Sequence, residues 1–467
     1  MNLTLVNHDR RFAVEQAVFN YFPHRDGGSA VVRLSPSGRL ASAVIEYNNQ
    51  SASGRAWVGA NGSLDNALRL AFYRAAKQIV TPPPWGALTG VRPVKKAIEL
   101  LDKGQDIVNE LQRRYNVTPA RADMAADCAA TAVSLREKLE PWDIALYIGI
   151  PFCPTRCSYC SFVSSSVERD AGLIERYIDV LREEIKAAGE TVSRLGLRVR
   201  AVYWGGGTPA VLTADQFSAL NGLLNKHFPL GGLWEHTVEA GRPDAITTEK
   251  LNACRVGGVT RVSVNPQTLR QDVLDTIGRR HTVERFFTVY EQARAGGFEA
   301  INVDLIAGLP GDDPDGFLSG LEQVLTLAPE NITIHTLARK RGASPHPMAT
   351  AVAGRGMAAM LSGAAQRLRE SGYRPYYLYR QKFTEGGFEN TGWAKPGTEC
   401  VYNLCMMEEL CTVLSLGAGG VTKVVKRAAD GSVNIKRLFH CKYPLEYIGR
   451  RDTIRHIAAS FEAALGE

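Results

Sequence analysis

The segment Tyr147-Ile-Gly-Ile-Pro-Phe-Cys153-Pro-Thr-Arg-Cys157-Ser-Tyr-Cys160 joins a short apolar run to three cysteines. The run Ala145–Ile150 has the length and composition of a buried strand. The cysteines follow it at a Cys-x3-Cys-x2-Cys spacing, so that one loop carries three thiolates. Soft thiolates suit an iron–sulfur cluster. A zinc site and buried structural cysteines are the alternatives, although zinc normally takes four ligands and no fourth Cys or His stands nearby in the sequence.

Five more apolar runs follow, with helical patterns between them. The predicted strands are Ala145–Ile150, Ala201–Trp204, Thr237–Ala240, Arg261–Val264, Ala300–Leu305 and Asn331–His335. The helices are predicted near 171–189, 213–227, 247–254, 270–276, 282–296 and 313–327. Six strand–helix units in succession predict a parallel sheet with right-handed crossovers, either a partly closed barrel or an open doubly wound sheet. In both folds the catalytic groups lie at the carboxyl ends of the strands.

The pattern divides the chain into three predicted domains, 1–140, 141–342 and 343–467. The first is predicted to be α/β and helical, with strands and helices at Asn2–Val6, Phe12–Tyr21, Ala30–Leu34, Leu40–Tyr47, Arg55–Val58 and Leu64–Val80. The third is predicted to contain helices at 356–371 and 451–465 and a strand at Tyr373–Tyr379.

The composition is that of a soluble globular enzyme. Of 467 residues, 45% are hydrophobic and 22% charged, which excludes a mainly disordered or fibrous chain. No stretch approaches the ~18 apolar residues of a membrane span, and the N-terminus lacks the pattern of a secretory signal, so we expect a cytoplasmic protein. The net charge of +7 is weak evidence for an anionic ligand. Without a nucleic-acid-binding motif, RNA modification ranks last among the functions considered.

A glycine-rich motif, Tyr203-Trp-Gly-Gly-Gly-Thr-Pro209, follows the second predicted strand. Three glycines let a ligand approach the backbone closely. Such a motif is weak alone, because glycine-rich strand ends are common turns. It gains weight here because neighbouring strand ends face the same cavity.

Together the two motifs resemble the radical S-adenosylmethionine (SAM) superfamily. Flanking segments resemble its oxygen-independent coproporphyrinogen III dehydrogenase family, namely Asn302-Val-Asp304-Leu-Ile-x-Gly-Leu-Pro310 and Leu416-Gly-Ala-Gly419. Two more are similar to the HemZ-type branch, namely Trp85-Gly-x-Leu-Thr-Gly-Val-Arg-Pro93 and Glu389-Asn-x-Gly-x-Ala-Lys-Pro-Gly397. The resemblance implies a partial (β/α)6 radical SAM barrel, an N-terminal α/β domain, and a mixed, mainly helical C-terminal domain that covers the substrate.

The resemblance also implies roles for individual residues. The ligands of a [4Fe-4S] cluster would be Cys153, Cys157 and Cys160. The contacts to a first SAM would be Tyr147, Gly206, Glu239 and Val421. The contacts to a second SAM, which the family can hold, would be Gly207, Thr208, Gln267, Arg279, Asp304 and Ala338.

The activity implied is oxidative decarboxylation of coproporphyrinogen III to protoporphyrinogen IX in haem synthesis. We expect a monomer that takes electrons from a donor such as flavodoxin or ferredoxin and does not bind nucleic acid. The basic run Arg339-Lys-Arg341 would suit the propionates of this tetrapyrrole, although a solvated basic loop is the more ordinary interpretation. One departure is Phe162, which stands where the family's dehydrogenases carry a fourth cysteine.

Two alternative functions remain open. One is radical SAM chemistry on another tetrapyrrole. The other is haem trafficking, because a sister branch binds haem through a His-Asn…Tyr-Trp motif. The matching stretch here, Val401-Tyr-Asn-Leu404, has no histidine, which counts against the chaperone. Cys400, Cys405, Cys411 and Cys441 match no cluster spacing, and buried unreactive thiols are expected.

Overall fold

The structure is a computed structural model. It describes residues 1–22, 27–59, 63–160, 164–167, 171–338, 354–381, 385–428, 431–450 and 452–466.

The N-terminal unit is a four-stranded sheet with two helices on one face. Its elements are β1 (Asn2–Val6), α1 (Arg11–Tyr21), β2 (Ser29–Leu34), β3 (Leu40–Tyr47), β4 (Gln50–Trp57) and α2 (Leu64–Ala76). The strand order is β1-β2-β3-β4, and β2, β3 and β4 form an antiparallel meander. Alternate apolar side chains of the strands pack with those of both helices in a core of their own, because a strand's side chains point to opposite faces in turn.

Three helices lead from this unit to the barrel. They are α3 (Pro93–Leu101), α4 (Ile107–Tyr115) and α5 (Pro119–Arg136). Proline at the first position starts α3 and α5, where its missing N–H costs no hydrogen bond.

All six predicted barrel strands are present. The strands are β5 (Asp143–Ile150), β8 (Arg198–Gly206), β9 (Glu235–Val238), β10 (Arg261–Ser263), β11 (Ala300–Ala307) and β12 (Asn331–Thr336). A short ladder in the cysteine loop supplies β6 (Phe152–Cys153) and β7 (Ser165–Ser166). The helices between them are α6 (Ala171–Arg194), α7 (Ala214–His227), α8 (Thr248–Val256), α9 (Gln271–Thr276), α10 (Val283–Ala295) and α11 (Pro314–Thr326).

The six strands pair in the order β12-β11-β10-β9-β8-β5, all parallel. Each strand therefore pairs with its predecessor, and the order never reverses. A doubly wound sheet reverses its strand order at a switch point. The structure thus decides between the two predicted alternatives in favour of the partial barrel.

The C-terminal part is mixed, as predicted. Its elements are α12 (Arg355–Glu370), β13 (Arg374–Arg380), β14 (Glu389–Ala394), α13 (Val401–Glu408), β15 (Thr412–Leu416), β16 (Val421–Arg427), β17 (Val433–Phe439), α14 (Pro444–Gly449) and α15 (Asp452–Gly466). The sequence predicts only the first of these strands. All five extend the barrel sheet: β14 and β13 join beyond β12, and β15, β16 and β17 join beyond β5.

Helix α13 packs against the inward faces of β5 and β8. The Tyr402 ring stacks on Tyr203, with ring centroids 4.4 Å apart, and on Tyr147 at 5.9 Å. Glu235, on the inward face of β9, accepts a hydrogen bond from the Val401 N–H at 2.9 Å, so it satisfies a free donor at the helix start. α13 thereby fills the part of the barrel below the strands' carboxyl ends.

Among the described residues, no helix combines the length and the apolar character that crossing a membrane requires.

Candidate active site

A cavity of about 790 Å³ lies at the carboxyl ends of the barrel strands. Ten of the thirteen residues predicted for the site line it, namely Cys153, Cys157, Cys160, Gly206, Gly207, Glu239, Gln267, Arg279, Asp304 and Ala338. These residues come from the loops after β5, β8 and β9, from the region between β10 and α10, and from the ends of β11 and β12. The topology therefore brings together residues that lie almost 190 positions apart in the sequence.

The cysteine loop is held by backbone hydrogen bonds. The Val167 N–H donates to the Cys153 carbonyl at 3.0 Å, which closes the loop on itself. The Ser158 N–H donates to the Ile277 carbonyl at 3.1 Å, which fixes the loop to the turn after α9. Cys157 is buried, and the other two cysteines are partly exposed to the cavity.

Arg242 is a site residue that the sequence analysis did not identify. Its Nη1 lies 3.3 Å from the Cys157 Sγ, and its Nη2 donates to the Thr155 Oγ1 at 3.1 Å. Asp244 holds the guanidinium through an ion pair of 2.6 Å. The guanidinium thus lies directly against the sulfur of one predicted cluster ligand. Burial raises the pKa of Cys153 to about 11, so iron must displace its proton.

The three cysteines fit a cubane cluster better than a single ion. Within the described residues, no three His, Cys, Asp or Glu side chains converge on one point as the ligands of one ion would. In a cubane, each thiolate binds a different iron, so the three sulfurs need not converge. Three thiols on one loop that faces a cavity match this arrangement, and the zinc alternative finds no support among the described residues.

The glycines of the second motif let two stretches of backbone meet. A Cβ on Gly207 would lie 2.2 Å from the Phe152 carbonyl oxygen, and one on Gly206 would lie 2.9 Å from that of Ile150. The Gly207 N–H donates to the Ile150 carbonyl at 2.9 Å. The motif therefore seats the start of the cysteine loop, in addition to any ligand it contacts.

Glu239 presents a partly buried carboxylate to the cavity. Tyr203 donates a hydrogen bond to its Oε2 at 3.0 Å. Burial raises the pKa of Glu239 to about 7, and the nearby charge of Asp304 acts in the same direction. The Tyr203 hydrogen bond and the charge of His335 lower the pKa of Glu239 in part. A bound ammonium group would favour the ionised form of this carboxylate.

Asp304 has a histidine partner that the sequence analysis did not identify. The His335 Nε2 lies 3.6 Å from the Asp304 Oδ2, and the Asn302 side chain donates to Oδ1 at 2.8 Å. Burial alone would raise the pKa of Asp304, but the bonds from His335 and Asn302 hold it below its usual value. His335 occupies an inward position on β12 and lines the cavity. The alternation of polar residues along Asn331–His335 is the one sequence signal for it.

Arg279 and Gln267 each carry a buried polar atom that lacks a hydrogen-bond partner among the described residues, which indicates a place for a ligand. Arg279 is buried, with hydrogen bonds to the Gly241 carbonyl and the Tyr159 hydroxyl, and its Nε has no partner among the described residues. The Gln267 Oε1 is likewise buried without a partner there. Gln267 also has φ +72°, a conformation that costs energy for a residue with a side chain. Both residues are buried and line the cavity.

Three predicted SAM contacts lie outside the lining of the cavity. Tyr147 lies below it in the stack with Tyr402, within 3.4 Å of the Cβ position of Gly205 and Gly149. Thr208 is buried, and its hydroxyl donates to the Ala240 carbonyl. Val421 begins β16, beyond β15. Their contacts to SAM stay predictions.

Two predicted features fall on residues that the structure does not describe. They are Phe162 and the basic run at 339–341.

Comparison with known proteins identifies the family. The sequence pattern of the radical SAM superfamily matches residues 147–323. The oxygen-independent coproporphyrinogen-III oxidase-like protein HemZ of Bacillus subtilis is 38% identical over 355 residues, which cover 73% of this chain and 70% of HemZ. The chain belongs to this family of radical SAM proteins. The cofactors of the superfamily, a [4Fe-4S] cluster and SAM, are therefore those of this family member as well.

Other relatives are named for two different functions, haem chaperone and coproporphyrinogen III oxidase. The haem chaperone HemW of Mycobacterium tuberculosis is 28% identical, over 65% of this chain and 73% of that protein. The oxygen-independent coproporphyrinogen III oxidase of Escherichia coli is 32% identical, over 48% of this chain and 49% of that protein. The solved structure of Escherichia coli HemN aligns with a TM-score of 0.50 and 21% identity, over 71% of this chain and 78% of that one. At this identity the structural match supports the fold alone.

Proposed function

We propose that this family member catalyses the oxygen-independent oxidative decarboxylation of coproporphyrinogen III, which converts propionate side chains to vinyl groups and gives protoporphyrinogen IX. The observation that carries the proposal is the shared cavity, in which the cysteine loop faces Glu239, Asp304 and His335. Its volume of about 790 Å³ is near the upper end of the ~300–1,000 Å³ of ligand pockets, so it offers room beyond a first small ligand.

In this proposal each residue of the site has a separate role. Cys153, Cys157 and Cys160 would hold the cluster, and Arg242 would donate a hydrogen bond to the Cys157 sulfur. Glu239 would accept the amino group of SAM, with Tyr203 fixing the direction of the carboxylate. When bound, the cluster and SAM supply the 5′-deoxyadenosyl radical that takes a hydrogen atom from a propionate.

The chain's further task is to keep that chemistry away from water and from its own side chains. The wall exposes mainly apolar surface, although many of the lining residues, such as Glu239, Asp304 and His335, carry polar groups. A primary carbon radical reacts with whatever group lies nearest. The positions of the carboxylate, glycine and aromatic residues around the cavity would therefore determine which carbon atom of the substrate lies next to the radical.

Haem trafficking is the second candidate, because HemW proteins stand among the relatives. The stretch that matches the chaperone's haem motif is the start of α13. There Tyr402 is buried in a stack with two other tyrosines, and the stretch has no histidine whose imidazole could bind a haem iron. This placement favours the enzyme.

The test is an anaerobic assay of the reconstituted protein with SAM, a strong reductant and coproporphyrinogen III, read by mass spectrometry. The proposal predicts loss of two CO₂ per substrate together with 5′-deoxyadenosine. 5′-Deoxyadenosine without decarboxylation would instead point to another tetrapyrrole. Haem retention without any SAM cleavage would favour the chaperone.

A further inference from the structure

The segment between Trp85 and Arg92, which leaves the N-terminal unit, is fastened to the edge strands β13 and β14. The Trp85 Nε1 donates to the Glu389 Oε2 at 2.7 Å, and the Arg380 N–H donates to the Val91 carbonyl at 2.8 Å. Trp85, Glu389 and Arg380 are all buried. Buried hydrogen bonds therefore fix the position of this segment relative to the barrel.

Part of the cavity wall comes from this segment. Val91 and Arg92 line the cavity, beside Tyr379 and Arg380 of β13 and Met407 of α13. None of these residues belongs to the six strand–helix units that carry the cysteine and glycine motifs. A ligand in the cavity would therefore touch groups that the N-terminal region positions.

Arg380 brings a buried positive charge to this wall. Its guanidinium donates to two carbonyls, that of Gly387 at 2.5 Å and that of Leu88 at 2.6 Å. Glu389, the acid whose charge acts on it, is itself bound by Arg121 at 2.8 Å. Burial lowers the pKa of Arg380 to about 10, which leaves it charged at neutral pH.

Arg92 adds a second charge that its partner neutralises only in part. Its Nη1 lies 2.5 Å from the Glu409 Oε2. Lys95 and Arg437 approach the same carboxylate, at 3.8 Å and 2.8 Å, so three cations share one anion. Burial raises the pKa of the adjacent Glu408 to about 7, so that this residue supplies only part of a second negative charge.

The cavity thus has two electrostatically different regions. Glu239 and Asp304 are acidic groups suited to the ammonium and hydroxyl groups of SAM. Arg92 and Arg380 are cationic and would attract a carboxylate. Arg92 can donate through the nitrogens that its ion pair with Glu409 leaves, whereas Arg380 contributes its charge, because its Nε and Nη1 already donate to carbonyls. The two regions face one space, so one cavity can receive a cation and a polyanion together.

We propose that Arg92 binds a propionate carboxylate of the tetrapyrrole substrate, with the charge of Arg380 supporting it, and that the N-terminal region thereby takes part in substrate selection. The inference rests on the proposed function and assigns a role to the Trp85–Pro93 motif. It places a carboxylate anchor on residues other than the basic run at 339–341.

The test measures binding of coproporphyrin III, a stable porphyrin with the same four carboxylates, by fluorescence titration of the cluster-loaded protein. Coproporphyrin III tetramethyl ester is the neutral probe. Arg92→Gln should weaken binding of the acid at least about tenfold, because a charge-assisted contact is lost. Lys95→Gln is the matched control, since Lys95 approaches the same Glu409 but does not line the cavity. It should change the affinity less than about twofold.

The outcomes separate this inference from the proposed function. If the unaltered protein binds neither probe, the tetrapyrrole function itself fails. If it binds the acid but Arg92→Gln behaves like Lys95→Gln, the function stands and the anchor is wrong. SAM affinity checks that each variant is folded and should not change. Should Arg92→Gln not fold, Arg92→Lys keeps the ion pair with Glu409 but loses the two-point geometry, and affinity equal to that of the unaltered protein would overturn the anchor.

Discussion

At the scale of single residues, the ionisation of Glu239 is the most sensitive property of the site. The carboxylate is partly buried, lies near a second acid, and is stabilised in its charged form by Tyr203 and His335. Its pKa of about 7 means that both protonation states are populated at neutral pH. Because a cation binds only the ionised form well, ligand affinity and ionisation are coupled.

The first prediction is a pH dependence of SAM binding. Since the folded pKa is raised to about 7, ionised Glu239 is lost as the pH falls through that value. The dissociation constant should rise about fivefold from pH 7.0 to 6.0, a range in which an α-amino group, with a pKa of about 7.7–8.0, stays mostly protonated. Equilibrium dialysis with labelled SAM measures it. Glu239→Gln should bind weakly, with most of this slope removed, and a flat profile for the unaltered protein would refute the role.

The second prediction concerns Tyr203 as a positioning residue. Tyr203→Phe removes a hydrogen bond that stabilises the ionised carboxylate, so the pKa of Glu239 should rise further. The fall in SAM affinity should then begin at a higher pH. Tyr402→Phe is the control, because it removes a hydroxyl from the same aromatic stack but not the bond to Glu239. Identical profiles for the two variants would count against the role of Tyr203.

The third prediction tests the cluster ligands. Cys157→Ala should abolish the charge-transfer absorbance of the reconstituted protein at the short-wavelength end of the visible spectrum, with a matching loss of bound iron. Cys441→Ala should keep both, since Cys441 lies in the C-terminal part and does not line the cavity. A Cys157→Ala protein that held its cluster and cleaved SAM would exclude this cysteine as a ligand.

At the scale of secondary-structure elements, α13 connects the C-terminal part to the barrel. Glu235 accepts hydrogen bonds from the Val401 N–H at 2.9 Å and the Cys400 thiol at 3.1 Å, and its Oε2 lies 3.3 Å from the Arg261 Nη2. These groups are buried below the cavity. The helix start, an acid of β9 and a base of β10 therefore form one connected network.

The fourth prediction concerns the contribution of that network to the free energy of unfolding. Glu235→Gln leaves the buried Arg261 without its counter-ion, and removing one partner of a buried pair typically costs about 3–5 kcal/mol of unfolding free energy. Urea unfolding measures the change. The exposed Glu291→Gln on α10 should stay within about 0.5 kcal/mol of the unaltered protein. Equal midpoints for the two variants would show that Glu235 does not hold α13.

Local patterns predict some elements well and others poorly. The barrel strands from Ala145 to His335 read directly from the sequence, because a strand buried on both faces is a short apolar run. The strand β15 is not predicted, since it pairs with β5, which lies far away in the chain. The strands β16 and β17 are not predicted either, although they pair with each other locally. Lys423 and Arg427 on β16 also make that stretch look like a loop.

The same contrast between local and distant partners explains which residues of the site the sequence predicts and which it does not. The cysteines, glycines and Glu239 stand at strand ends, where motif and topology agree, and the cavity gathers them. Arg242 and His335 escaped prediction because their partners, Cys157 and Asp304, are distant in sequence. Only the folded barrel makes these pairs neighbours. The contact of Val421 with SAM remains a prediction.

At the scale of the whole molecule, one sheet of eleven strands carries the barrel and both of its extensions. The barrel supplies the cysteine loop and the acidic groups, β13 and α13 close one side, and the segment after the N-terminal unit completes the wall. A cavity built from the barrel, from β13 and α13, and from the segment before α3 suits a reaction in which SAM and a large substrate must be held together.

The most direct test of the account uses coproporphyrinogen III deuterated on the propionate carbons next to the ring. If the radical takes its hydrogen from that position, 5′-deoxyadenosine formed under anaerobic turnover carries deuterium, and vinyl groups appear in step with it. 5′-Deoxyadenosine free of deuterium, with the propionates intact, would contradict the account.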